Sequence, residues 1–386
     1  MERRKFLTNA GLTGILAAGV APAVHAQQTV RWRLASSFPK ALDTIFGAAE
    51  VFAKKVNDGS GGRLTISVHP AGELVPPFGV VDAVQNGTVE CAHTAPYYFF
   101  GKDDTFAMDC AIPFGLNSRQ MTAWMYEGNG LNLFREFYAN YGIVNFPMGN
   151  TGAQMGGWYR KEIRSVADMK GLKMRIGGFG GKVLAAIGGV PQNIPGGEIY
   201  QALEKGTIDA TEWVGPYDDE KLGFQKVAKY YYYPGWWEGG PQLSLYVGNK
   251  AWAALPADLK ALVESAASHA HVVMQARYDA KNPEALKRLV AGGAQLRQFN
   301  RPILQAAYDA SMSLYSDLSA KNPAWKKIYD DYAKFREEQV LWFRFTEAGF
   351  DNFMQTGRRT GPAAAKPAAK PAAKPAAKPA AEAAKK

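Results

Sequence analysis

The residues of this chain that could do chemistry are an arginine, an amide and two carboxylates set among glycines and aromatics. Lys173-Met-Arg-Ile176 alternates in polarity like a strand and runs into the glycine stretch Gly177-Gly-Phe-Gly-Gly181. A guanidinium at Arg175 can grip a carboxylate through two parallel hydrogen bonds, a geometry lysine lacks. An exposed surface arginine would read the same way. Gln154, Glu212 and Glu238 are the other polar candidates, each set among glycines and aromatics. A carboxylate among indoles needs a partner, because burying a lone charge is costly. Oxygen donors of this kind suit a hard cation such as Na⁺ or Ca²⁺; solvated loop acids are the plainer alternative. The chain carries 9 Trp, 18 Tyr and 20 Phe. They gather at Pro96-Tyr-Tyr-Phe-Phe100, at Gly157-Trp-Tyr159 and from Tyr230 to Trp237. Aromatic walls with a few convergent polar groups describe a small-molecule pocket, although many such rings simply pack between helices.

The signatures of common enzymes are missing. There is no Gly-x-Ser-x-Gly, no His-Glu-x-x-His and no Cys-x-x-Cys. Gly177 to Lys182 resembles a phosphate loop, but Val183 stands where a P-loop needs Ser or Thr. Those glycines suit close backbone approach to a ligand, or a hinge. His269 and His271 fall on different faces of a helix, and His93 reads as a packed residue. An acid–base pair of Glu212 and Glu238 in a lyase or hydrolase is the enzymatic alternative.

The elements that would position these residues alternate strand and helix. Val84-Gln-Asn-Gly-Thr-Val-Glu-Cys91 and Leu203-Glu-Lys-Gly-Thr-Ile-Asp-Ala210 both read as a helix end, a glycine cap and a strand. Gly87 aligns with Gly206, and the second copy continues into Glu212 and Trp213, where open α/β sheets place their ligands. This repeat predicts an α/β fold of two similar lobes facing a shared cleft. Strands are expected at Val30–Ala35, Leu64–Val68, Gln154–Arg160, Leu172–Ile176 and Leu243–Val247, the last returning to the first lobe. Beyond Pro256 the pattern turns helical, with Asp258–Ala280 and a further helix from Pro283. A long apolar-striped helix follows, through Ile328, Tyr332, Phe335, Trp342 and Phe343.

The ends differ from the body. Arg3-Arg-Lys-Phe-Leu7, an apolar stretch and Val24-His-Ala26 form an export signal over residues 1–26, of twin-arginine type. Residues 358–386 repeat Ala-Ala-Lys-Pro, a solvated tail that cannot form a continuous helix. These ends hold most of the formal net charge of +10, so the body is close to neutral and no nucleic-acid partner is expected. Cys91 and Cys110 lie in apolar surroundings and read as two buried free thiols, with one bridge as the alternative.

The stretches Pro96-Tyr-Tyr98, Asn150-Thr-Gly-Ala-Gln-Met-Gly-Gly-Trp158, Gly171-Leu-Lys-Met-Arg-Ile176, Gly206-Thr-Ile-Asp-Ala-Thr-Glu-Trp213 and Trp236-Trp-Glu-Gly-Gly240 together resemble a family. It is the solute-binding subunits of tripartite ATP-independent periplasmic (TRAP) transporters, in the branch that takes 2-oxo and 2-hydroxy carboxylates. The resemblance covers about residues 27–355. It implies a two-lobed periplasmic-binding-protein-like fold that closes on its ligand. The boundaries it implies are lobe 1 over 27–150, completed by about 241–300; lobe 2 over 151–240 with helices from about 301–323; and a long C-terminal helix over 324–357. It assigns Arg175 to the ligand carboxylate and gives a cation Gln154, Glu212 and the Trp213 carbonyl, with Glu238 as a fourth donor or a partner to the ligand. Tyr97 or Tyr98 completes the pocket. One protein carboxylate and one ligand carboxylate suit Na⁺ or Ca²⁺; a third negative charge from Glu238 favours Ca²⁺. The expected partners are a small organic acid, the two integral permease subunits in the membrane, and a second protomer through the C-terminal helix. The expected function is periplasmic capture of a small monocarboxylate, without turnover. A ligand-sensing module for a membrane receptor is the other alternative.

Overall fold

The computed structural model describes residues 29–357; the expected signal and tail lie outside them. Eleven strands are described: β1 (Val30–Ser36), β2 (Leu64–His69), β3 (Cys91–Thr94), β4 (Ile143–Asn150), β5 (Trp158–Tyr159), β6 (Lys173–Arg175), β7 (Val190–Gln192), β8 (Ala210–Thr211), β9 (Tyr230–Tyr233), β10 (Gln242–Gly248) and β11 (Gln295–Gln298). They form two sheets, β2-β1-β3-β10-β4 and β11-β9-β5-β8-β6-β7, each the centre of one lobe. The fold is α/β and two-lobed, as the repeat predicts.

The two sheets share a plan. In the first, β2, β1 and β3 run parallel, and β10 then β4 are antiparallel. In the second, β7, β6 and β8 run parallel, and β5 and β9 pair antiparallel to the strand before them. β10 enters the first sheet from the second lobe, and β5 enters the second sheet from the first. Each lobe thus takes one strand directly after a crossing.

The repeated corners match bond for bond. The helix Val80–Gln85 and the helix Ile199–Glu204 each end at a glycine in left-handed conformation, Gly87 at φ 71° and Gly206 at φ 71°. Thr88 N–H donates to the Ala83 carbonyl at 2.8 Å, and Thr207 N–H to the Ala202 carbonyl at 2.9 Å. Glycine reaches that φ without steric cost, so the chain passes from helix to strand across five residues at each corner.

Two expectations differ. The strand read over Gln154–Arg160 shrinks to Trp158–Tyr159, because Met155 and Gly156 bond to Val214 and Tyr232 carbonyls in a loop that crosses between lobes. The helices read either side of Pro283 are one helix, Ala257–Ala291, with the proline inside. It packs on β4 and on the helix Ile45–Gly59, then on the helix Pro216–Leu222 of the second lobe. Cys91 and Cys110 are both buried and free. No described helix is long and apolar enough to cross a membrane.

The helix Pro323–Phe345 buries Trp325, Ile328 and Tyr332, and Trp325 stacks against Phe179 and Tyr315. Residues from Glu337 form a separate unit, helical through Glu347–Gly357. Within that unit Trp342, Phe345, Phe350 and Phe353 are exposed.

Candidate ligand-binding site

Both sheets end at one cavity. Its walls are Phe38, Ile45, Ala95, Tyr97 and Tyr98 from the first lobe, Arg175, Trp213 and Val214 from the second, and Thr151, Gln154, Pro241 and Leu243 from the crossing segments. It encloses ≈ 260 Å³ of space between atoms, of which ≈ 10 Å³ admits the centre of a water-sized sphere. That is room for about one water molecule, so the lobes are shut. Four larger features, among them a groove with ≈ 480 Å³ open to the centre of a water-sized sphere, lined from Val84 to Ala251, lie away from these residues and hold none of the site chemistry.

Arg175 is 1% exposed, a fully buried guanidinium. β6 ends at it, and the backbone then enters the helix Gly178–Ala186. Its Nε donates to the Ile194 carbonyl at 3.1 Å and its Nη1 to the Glu212 carbonyl at 3.0 Å. Nη1 also donates to the Glu212 carboxylate. The guanidinium carbon lies 5.1 Å from the Trp213 ring centroid. Burial is the largest single influence and lowers the arginine pKa, but Glu212, the two tyrosines and Glu238 together outweigh it and the pKa is raised. The group stays cationic. Nε and Nη1 are engaged with protein, which leaves Nη2 for an incoming carboxylate.

Glu212 Oε1 also accepts the Gly177 N–H at 2.7 Å. Burial pushes this carboxyl up, against the pull of Arg175 and of that N–H. Glu238 is pushed further, well above the usual carboxylate range, by burial and then by the Glu212 charge, while Arg175 and a hydrogen bond from Tyr97 oppose the shift. Gln154 fixes its amide by donating to Thr151 Oγ1 at 3.1 Å. Three buried acceptors then have no hydrogen-bond donor: Gln154 Oε1, Glu212 Oε2 and Glu238 Oε2. Unpartnered buried oxygens are costly. An oxygen-only set of amide, carboxylates and backbone carbonyl suits a hard cation, so these residues fit Ca²⁺ or Na⁺. Among the described residues no three His, Cys, Asp or Glu side chains cluster as a metal centre, which argues against a Zn²⁺ site built on nitrogen and sulfur.

Of the residues singled out from sequence, Tyr97, Tyr98, Gln154, Arg175 and Trp213 line the cavity together. Glu212 and Glu238 do not line it. Glu212 accepts from Arg175, and Glu238 shares a hydrogen bond with Tyr97, so each carboxylate touches a residue of the lining. The sequence reading passed over Phe38, Ile45, Thr151, Val214 and Leu243. Phe38 follows the carboxyl end of β1, a place where ligands collect in open α/β sheets, and that signal was available. Glycine permits close approach at two points, one between the lobes at Gly178 and one within the second lobe at Gly196. Gly178, at φ 57°, would carry a Cβ 2.5 Å from Tyr97 Cγ, and a Cβ on Gly196 would meet Trp213 at 2.4 Å. His93, by contrast, is a packed ring: burial pushes its pKa down to about 3 and leaves it neutral.

A two-lobed α/β molecule closing over a buried arginine and unpaired oxygens has the build of a solute receptor. The model of the bacterial extracellular solute-binding proteins, family 7 (DctP) matches residues 35–322, and the chain belongs to this family, that of the TRAP solute-binding subunits. It is 49% identical over 329 residues to a monocarboxylate 2-oxoacid-binding periplasmic protein of Nostoc, covering 85% of this chain and 90% of the relative. A TRAP transporter solute-binding protein from Bordetella bronchiseptica is 51% identical with a TM-score of 0.85, covering 86% of this chain and 99% of that one. That protein is a mixed-occupancy dimer with copurified calcium and picolinate in one site and an apo site in the other. A TRAP solute-binding protein from Pseudoalteromonas atlantica, with bound sodium and pyruvate, is 41% identical with a TM-score of 0.82, covering 84% and 99%.

Proposed function

We propose that this protein captures a small monocarboxylate, a 2-oxo or 2-hydroxy acid, together with Ca²⁺ or Na⁺, outside the cytoplasm. The observation that carries this is Arg175: a cation held 1% exposed between closed lobes, beside acceptors that lack donors. Arg175 takes the ligand carboxylate. Gln154, Glu212 and the Trp213 carbonyl hold the cation, with Glu238 as a further donor or a partner to the ligand. The cation neutralises charge and fixes the oxygen at the ligand's 2-position. Tyr97, Tyr98 and Trp213 exclude water. The lobes close because the ligand makes better contacts in the closed state. The calcium–picolinate and sodium–pyruvate relatives support this reading of ligand class and cation.

The same reading places export on the twin-arginine route, delivery at the two integral TRAP permease subunits, and pairing of protomers through the C-terminal helix. It involves no turnover. A thermal-shift screen of organic acids against metal-stripped protein, with and without Ca²⁺ or Na⁺, tests it. Stabilisation by pyruvate and its longer homologues only when a cation is present is expected, with the acids recovered intact. Conversion of any acid, or indifference to all of them, contradicts the proposal.

A further inference from the structure

Asp43 precedes the cavity residue Ile45 by two positions in the first lobe. The helix Pro216–Leu222 begins three residues after Trp213 in the second. Across the gap, Asp43 accepts from Tyr217 Oη at 3.0 Å, from Lys221 Nζ, and from Lys281 Nζ at 3.3 Å. Lys281 Nζ also donates to Tyr217 Oη at 3.0 Å. Both ammonium groups sit over the Tyr217 ring, at 4.3 and 4.5 Å from its centroid. One carboxylate therefore ties the first lobe to the second and to the long helix Ala257–Ala291 that runs between them. On another part of the rim Asp104 of the first lobe pairs with Lys182 of the second.

An exposed ion pair contributes little to folding. These groups stay folded whether the lobes are open or shut, so their contact weighs on a different equilibrium. Even a weak contact of this kind shifts an open–closed balance by a measurable factor.

We propose that Asp43 is a positioning residue for ligand retention: its knot with Tyr217, Lys221 and Lys281 latches the lobes shut and slows ligand escape. It touches no ligand. It acts by holding Ile45 and Val214 in place as opposite walls of the cavity. This inference rests on the capture reading above, and its test separates the two.

Pyruvate with Ca²⁺ is the probe in stopped-flow fluorescence on the full-length protein, comparing wild type, Asp43→Asn, Lys221→Gln and the double variant. Each single change is expected to raise the dissociation rate about fivefold and to leave the association rate within about twofold. The double variant is expected to match the stronger single, because the residues act in one knot. Raising ionic strength with choline chloride, which adds no Na⁺, should speed dissociation from wild type and leave Asp43→Asn nearly unmoved. An unchanged dissociation rate in both singles overturns the latch. Failure of wild type to bind pyruvate counts against the capture reading instead. The latch is then judged on ligand-free protein by pulsed spin-label distances between Lys54→Cys and Lys205→Cys. A shift to longer separation in Asp43→Asn supports it and identical distributions overturn it. If Asp43→Asn does not fold, Lys221→Gln decides both measurements.

Discussion

At the scale of single residues the account turns on how one guanidinium is shared. Arg175 spends Nε and Nη1 on Ile194 and Glu212. Arg175→Ala is expected to cost about 2–5 kcal/mol of ligand affinity, the range for removing one partner of a buried charge pair. Arg175→Lys should recover little of it, since an ammonium cannot serve Ile194, Glu212 and a ligand in one plane. Calorimetry with pyruvate measures both. Glu212→Gln keeps the shape and removes the charge, so it should weaken Ca²⁺ more than Na⁺; titration of each ion into stripped protein checks this. That Arg175, Gln154 and the tyrosines gather at one place was legible because oxygen chemistry and aromatic clustering show in the sequence. That Glu212 and Glu238 are bonded to Arg175 and Tyr97 instead of lining the cavity was not, since such contacts depend on packing between distant segments.

Secondary-structure elements carry the next level. The strand β6 delivers Arg175, and the helix after it starts at glycines that let Tyr97 of the other lobe lie against the backbone. Gly178→Ala is therefore expected to wedge the lobes apart, because its Cβ would fall 2.5 Å from Tyr97 Cγ and the residue sits at φ 57°. Ligand affinity should drop at least about tenfold, while the melting temperature of the ligand-free protein changes less than the liganded one. Equal affinity would show that closure tolerates the extra carbon. Sequence periodicity found the helix–glycine–strand corners because their geometry is local. It split the helix Ala257–Ala291 at Pro283, where local propensity argues for a break and tertiary packing on both lobes overrides it. It also extended β5, since nothing local marks where a chain leaves one lobe for the other.

For the molecule as a whole, pH links the core to stability. Asp109 is buried with Tyr138, Ser244 and Gln242 as donors, and burial raises its pKa to about 7. Burial lowers His93 to about 3 and His271 to about 4. Asp109 has a folded pKa above its unfolded one. Its contribution is whole below about pH 4 and is lost as pH rises through about 7. The two histidines act oppositely, losing stability as pH falls below their unfolded value of about 6.5. Relative to wild type, Asp109→Asn should remove part of the fall in melting temperature of ligand-free protein between about pH 4 and 7 and change nothing in its slope above about pH 7, while Asp218 and Asp219, raised to about 6 and about 7, keep the rest of that fall. The two-lobed plan itself was legible from one repeated corner and from motif resemblance. The return of β10 to the first lobe was read as well; its antiparallel pairing with β3 and β4, and that of β5 with β8 and β9, was not, because pairing partners far apart in sequence leave no local trace. The direct test of the central claim is a calorimetric titration of pyruvate into metal-stripped protein, repeated with Ca²⁺ present. Tight, one-to-one binding with the cation, weak binding without it, and none in Arg175→Ala is the predicted result. Undiminished pyruvate affinity in Arg175→Ala would contradict it.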